Sequence, residues 1–260
     1  ADGAAVGGGA LLELPQQISG HGVVGHVSAL QQALQREHEV WVVAPDSNRS
    51  GSSHSITLGN PTKFTKRGER EYASGGTPAD CVLHACLGLV PVEIDMVVAG
   101  VNLGPNLGTD IVYSGTAAAA RQGAFMRKPS VACSLSAYEP PYHLDFAVEF
   151  MSRNLSVIRA LWSEDHFLNI NFPNRKEPVE PVITIPTRRI YEDQLVRFTS
   201  PKGDLYSFIG GEIPGGMMEE GSDFGAVEAG CASLSPIVIH PANHEVEERY
   251  REAVFNWKSL

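Results

Sequence analysis

Four short stretches gather the residue types that hold phosphate groups and hard cations. They are APDSNRSGSSHS at 44–55, SGGTPAD at 74–80, GVNLGPNLGTD at 100–110 and YSGT at 113–116. Glycines let backbone N–H groups close on an anion, and a helix start favours negative charge. Ser114 and Thr116 would add hydroxyl donors there. Asn carbonyl and Ser hydroxyl oxygens suit hard cations such as Mg²⁺ or Mn²⁺. Together these stretches predict a metal-assisted phosphate site. None is specific alone: Gly-Pro-Asn-Leu-Gly also reads as turn chemistry, and Ser114 as a helix N-cap. The chain has no G-x-x-x-x-G-K-[ST], and no G-x-G-x-x-G follows a strand.

Other reactive residues have plainer readings. His54, in a serine-rich loop, could act as a base but reads as a surface histidine. His240 and His244 bracket Pro241 and read as a solvated turn rather than a metal pair. Asp46, Asp80 and Asp110 are the carboxylates nearest the four stretches, and each could cap a helix or turn. Ser50 lacks a G-x-S-x-G setting, which disfavours a serine hydrolase triad. Cys81, Cys86, Cys133 and Cys231 form no C-x-x-C pair and read as buried free thiols.

The elements that must position these loops alternate. Val27, Leu30 and Leu34 predict a helix over 27–36, and EVWVVA a strand over 39–44. A helix over 79–89 follows, which Pro78 could start. Further strands are expected at 94–99, 129–135 and 167–172, with helices at 114–126 and 144–162. Apolar strands alternating with helices predict an α/β fold around a largely parallel sheet covered on both faces. Such sheets bind ligands at the carboxyl ends of their strands, where the loop after 94–99 lies. After Pro173 the pattern changes. Residues 196–211 read as a protruding hairpin turning at 201–204, then a strand at 231–240 and a helix at 245–257. The first 26 residues read as neither core strand nor stable helix, apart from one apolar run at 10–14.

The 260 residues suffice for one large domain, and a net charge of -10 argues against nucleic-acid or anionic-membrane partners. No run of about 18 apolar residues is present. The first basic residue is Arg36, so no secretory signal is read and the expected location is cytoplasmic.

The blocks VVAPDSNRSGSSHSIT, GTPADCV, VVAGVNLGPNLGTDIVYSGTAAAA, LNINFP and SDFGAVEAGCASLSPI resemble those of the SurE survival-protein family. The resemblance runs from about residue 29 to the end. It implies a metal-dependent phosphatase acting on nucleoside 5'- and 3'-monophosphates, with short polyphosphate as a further substrate in some members. It implies one divalent cation per subunit, Mg²⁺ or Mn²⁺, held by two consecutive aspartates, by Ser50 and by Asn102. Thr77, Asn106, Ser114, Gly115 and Thr116 would line the phosphate pocket. It also implies a single SurE-like domain: a Rossmann-like α/β core over about 29–175, and a hairpin and C-terminal region over about 176–260 that exchange between subunits in a homodimer or homotetramer.

The chain departs from the family over 1–28. The family begins with a strand and then Asn-Asp-Asp-Gly. Counting back from Ser50 places the pair near Ser19-Gly20, within QISGHGVVGH, where there is no carboxylate. Neutral Ser50 and Asn102 oxygens bind a divalent cation weakly without carboxylate charge, and a carboxylate is the natural group to activate water. Two readings stay open. The chain is an impaired member that binds nucleotide without hydrolysing it, or residues 1–28 reflect a reading-frame slip or wrong start.

Overall fold

The computed structural model describes residues 9–13, 23–242 and 244–251, with side chains over 29–242 and at 246–248, 250 and 251. The centre of the molecule is a nine-stranded sheet, built largely from the runs read as buried strands. Five parallel strands form its middle: β1 (Gly9–Glu13), β2 (Glu39–Pro45), β5 (Ile94–Leu103), β6 (Ser130–Ser136) and β7 (His166–Pro173). They lie in the order β2-β1-β5-β6-β7. On the β2 side the sheet continues through β4 (Glu71–Ser74) to β3 (Phe64–Gly68) at the edge. On the other side β13 (Ala232–Val238) pairs antiparallel with β7, and β8 (Pro181–Ile183) closes the edge. The sheet is therefore parallel in its middle and mixed at both ends.

Helices cover both faces. One core packs α1 (Val23–Leu34) and α5 (Asp145–Leu161) on the sheet: Leu30, Leu34, Met151 and Leu155 meet Val98, Val131 and Ile170. The other packs α2 (Pro78–His84) and α4 (Gly115–Phe125), with the short α3 (Asp110–Tyr113) between β5 and α4. Ala117, Ala119, Ala120 and Ala124 make α4 thin enough to lie close on Val97, Ala99 and Ala132. No helix among the described residues is long and apolar enough to cross a membrane.

The N-terminal expectation is corrected. Residues 9–13 form a strand, and it lies at the sheet's centre between β2 and β5, registering Leu12 with Val42 and with Val98. A central strand takes its order from the neighbours on both sides, so a short Gly- and Ala-containing run is tolerated there. Helix α1 also begins earlier than read, at Val23, although Gly25 costs a helix interior roughly 1 kcal/mol relative to Ala. Outside the sheet, β10 (Gln194–Thr199) and β11 (Leu205–Gly210) form the expected hairpin, with Gly203 at φ +92 in its turn. β9 (Arg189–Ile190) pairs with β12 (Gly215–Gly216), ahead of α6 (Asp223–Glu228), and α7 (His244–Arg251) ends the described chain.

Candidate phosphate and cation site

The chain runs outward from β1 to β2 and later returns to β5 on β1's other flank. The strand order thus reverses at β1, the place where open α/β sheets form a crevice at their carboxyl ends. The loops at 46–57 and 104–109 follow β2 and β5 and lie at this edge.

The first loop docks on the end of α3, directly ahead of the Ser114 cap of α4. The Ser53 N–H donates to Tyr113 O (3.1 Å) and its hydroxyl to Val112 O (2.7 Å). Arg49 Nη2 donates to Gly75 O (2.5 Å), while its Nε is buried with no hydrogen-bond partner among the described residues. Ser52 Oγ is likewise buried and unpartnered, and it lies 3.5 Å from where a Cβ on Gly115 would stand. That Cβ would also press to 2.8 Å on Pro78 Cγ, so only glycine lets α2 and α4 meet here. Ser114 caps α4: its Oγ accepts from Ala117 N (3.0 Å), leaving its own proton to donate. The first N–H groups of a helix have no intrahelical acceptor, so Ser114, Gly115 and Thr116 present the donor cluster that an anion requires. Ser50 is exposed on the same loop. Arg49 and Ser52 were not singled out from the sequence, although both belong to the RSGSS run.

Thr77 and Asp80 have other occupations. Thr77 caps α2, its hydroxyl donating to Ser55 O (2.7 Å) and accepting from Asp80 N (3.1 Å). Asp80, almost fully buried, accepts from Thr57 N, Thr57 Oγ1 and Thr77 N. Burial alone would raise its pKa, but the hydrogen bonds from Thr57 and Thr77 outweigh it and hold the carboxyl below 3.8. His54 is half-buried rather than solvated: its ring bonds Gln122 Oε1 (2.9 Å) and stacks on Phe125. Burial lowers its pKa, with Gln122 opposing and Arg121 adding to the shift. His240 is exposed, as read, and stacks on the other side of Phe125.

The loop after β5 is held from within the sheet. Asn102 Nδ2 donates to Gly104 O (2.8 Å), and no hydrogen bond among the described residues engages its Oδ1. Asn106 turns inward, donating from Nδ2 to Ser134 Oγ and from its backbone to Asn171 Oδ1. Its carbonyl accepts from the Asn169 and Asn171 amides. The LNINFP asparagines are therefore the anchors of this loop. Asp110, first residue of α3, pairs with Arg189 and accepts from the Tyr191 hydroxyl (2.5 Å). Tyr191 stays a phenol, its pKa raised by burial and by Asp110.

For a cation, Ser50 and Asn102 offer neutral hard oxygens, the donor type Mg²⁺ or Mn²⁺ accepts, but no charge. Among the described residues no group of three or more His, Cys, Asp or Glu could hold a metal. Asp80 and Asp110 are engaged, and Asp46 is exposed on the loop after β2. The position counted for the aspartate pair, Ser19-Gly20, lies outside the described residues. Because β1 ends at Glu13, a motif following the strand directly would fall on Leu14-Pro15-Gln16-Gln17, which also lacks a carboxylate. The donor set fits a hydrated cation in part. No disulfide joins the cysteines among the described residues; Cys81 and Cys133 are buried, with burial pushing the Cys133 thiol to about 12.

Residues 22–193 match the family described as "Survival protein SurE". A protein of Kosmotoga olearia named "5'-nucleotidase SurE" is 39% identical over 233 residues, covering 87% of this chain and 92% of its own length. A protein of the same name from Alkalilimnicola ehrlichii is 40% identical over 223 residues, covering 82% and 84%. The crystal structure of the SurE protein from Aquifex aeolicus superposes with a TM-score of 0.78 at 33% identity, covering 94% of this chain and all of that one.

Proposed function

The chain belongs to the SurE survival-protein family, and from that premise we propose that it is a nucleotidase. It is a metal-dependent phosphatase releasing phosphate from nucleoside 5'-monophosphates, and from 3'-monophosphates at the same site. The observation that carries this reading is the docking of the 46–57 loop directly ahead of the Ser114 helix start, at the reversal point of a parallel sheet.

In this reading the N–H groups of Gly115 and Thr116 and the Ser114 hydroxyl hold the phosphate oxygens. They also meet the charge that grows there as water attacks phosphorus, the kind of preorganised donor set that lowers such barriers. Arg49 and the Ser52 hydroxyl add donors from the facing loop. Thr77 and Asn106 act through position: one fixes α2 against the 46–57 loop, the other fixes the loop after β5. One Mg²⁺ or Mn²⁺ per subunit binds beside Ser50 and Asn102, and when bound it supplies positive charge to the phosphoryl oxygens. Short polyphosphate presents the same terminal group and is a second substrate class.

The test is phosphate release from 5'-AMP and 3'-AMP with and without Mn²⁺, alongside nucleotide binding measured by calorimetry. Mn²⁺-dependent release, abolished by chelation, is expected. Binding without release at any metal concentration would replace this reading with a nucleotide-binding protein.

A further inference from the structure

We propose that Asp223 and Arg189, in the C-terminal segment, are positioning residues that clamp the loop between Asn102 and the Ser114 helix start; the inference rests on the nucleotidase reading above. Asp223 is fully buried, and its two oxygens face in different directions. Oδ2 accepts from Gly108 N at 2.6 Å, while Oδ1 accepts from Thr187 N (2.9 Å) and Phe224 N (2.8 Å). One carboxylate thus ties the loop after β5 to the segment leading into β9 and to the start of α6. The tie is close: Gly108 has φ +51, and a Cβ there would stand 2.0 Å from Thr187 O.

Arg189 continues the clamp one turn further. Its side chain is buried, its backbone N–H donates to Thr109 Oγ1 (3.2 Å) and its Nε lies 3.0 Å from Asp110 Oδ2. That ion pair is off-axis, so neither Nε nor Nη1 completes a hydrogen bond among the described residues. The guanidinium lies 4.9 Å from the Phe224 ring centre, the residue next to Asp223. From Asp110 the path to the site is short, since Ser114 N donates to Asp110 O (2.9 Å) and Ser114 caps α4. Both clamps act on Gly108, Thr109 and Asp110, at the near end of a seven-residue stretch whose far end, Ser114, begins the proposed phosphate cradle. Asp223 lies beyond residues 22–193, the part of the chain that matches the family profile.

The experiment compares Asp223→Asn and Asp223→Ala with the parent chain in three readouts: affinity for inorganic phosphate, KM and kcat for 5'-AMP, and melting temperature. Asp223→Asn keeps one oxygen for Thr187 and Phe224 and loses the acceptor for Gly108; Asp223→Ala loses all three contacts. Positioning predicts that both weaken phosphate binding and raise KM by a similar factor, about tenfold or more, because small displacements in a binding geometry are costly. The melting temperature should fall much further for Asp223→Ala. Amide exchange at Gly108 should quicken in Asp223→Asn. Parental phosphate affinity in Asp223→Asn, losses that track melting temperature, or unchanged Gly108 exchange each overturn the proposal. If both variants unfold, Asp110→Asn breaks the Arg189 pair at a less buried place, and parental phosphate affinity there overturns it equally. A parent that binds phosphate but releases none from 5'-AMP sinks the nucleotidase reading alone, and the phosphate affinities still decide the clamp.

Discussion

At the scale of single residues, the two neutral oxygens and the buried carboxylate make separate predictions. Asn102→Ala removes the one side-chain oxygen at the end of β5. It should weaken Mn²⁺ binding by about tenfold or more, the range that changes around a metal produce, with melting unchanged; a Mn²⁺ titration followed by electron paramagnetic resonance checks this. Asp80 should matter to folding instead. Asp80→Asn leaves N–H donors at Thr57 and Thr77 short of an acceptor, and should cost about 1–3 kcal/mol. Because the folded pKa of Asp80 is below 3.8, its contribution is complete above that pH and is lost as pH falls through the folded value. Denaturant melts from pH 7 to pH 2 should show the parent and Asp80→Asn converging only at the acid end. Ser114 and Thr116 stand out in the sequence as hydroxyls at a helix start, where the structure places Ser114 as the cap, whereas Ser50 and Asn102 are singled out only through the family resemblance. The inward turn of the Asn106 amide and the double use of the Thr77 hydroxyl were not legible. Those depend on Ser134, Asn171 and Ser55, which no local pattern ties to them.

At the scale of elements, the start of α4 carries most of the proposed phosphate donors. Ser114→Ala removes the cap and should destabilise by about 0.5–2 kcal/mol. It also removes a donor that the proposed site offers to the phosphate, which at comparable anion sites costs on the order of 10²-fold in kcat. Steady-state phosphate release compared with the melting temperature separates the two effects. Gly108→Ala should cost more than about 1 kcal/mol, since a left-handed φ and contact with Thr187 O both oppose it. Helix α5, strand β6 and strand β7 were read to within about two residues because their periodicity is strong. Strands β3 and β4 were not read: FTKRG and EYAS are short, charged and at the sheet edge, where little apolar surface is buried. Strand β1 was missed for the opposite reason. Its order comes from β2 and β5, not from its own composition.

At the scale of the whole molecule, the hairpin is the feature that a single copy leaves unexplained. Its residues are largely exposed on both faces, with Phe208 at 63% and Ile209 at 79%. Phe198 stacks on both Tyr206 and Phe208 of the facing strand. A two-stranded ribbon is marginal by itself, and a contiguous apolar patch of this kind marks an interface. We propose that it packs on a second copy in a dimer or tetramer. Light scattering should find a mass above the monomer's, and Phe208→Asp with Ile209→Asp should lower that mass while the melting of the sheet persists. The Asp223 to Gly108 bond spans 115 residues of chain, and this has a consequence for the order of birth. At synthesis rates of about 5–20 residues per second, roughly ten seconds separate the emergence of the loop from that of its anchor. The parallel sheet's middle can assemble on the ribosome during that interval. The proposed phosphate cradle cannot reach its final shape until Asp223 has emerged, so a nascent chain should gain its scaffold well before it gains its chemistry.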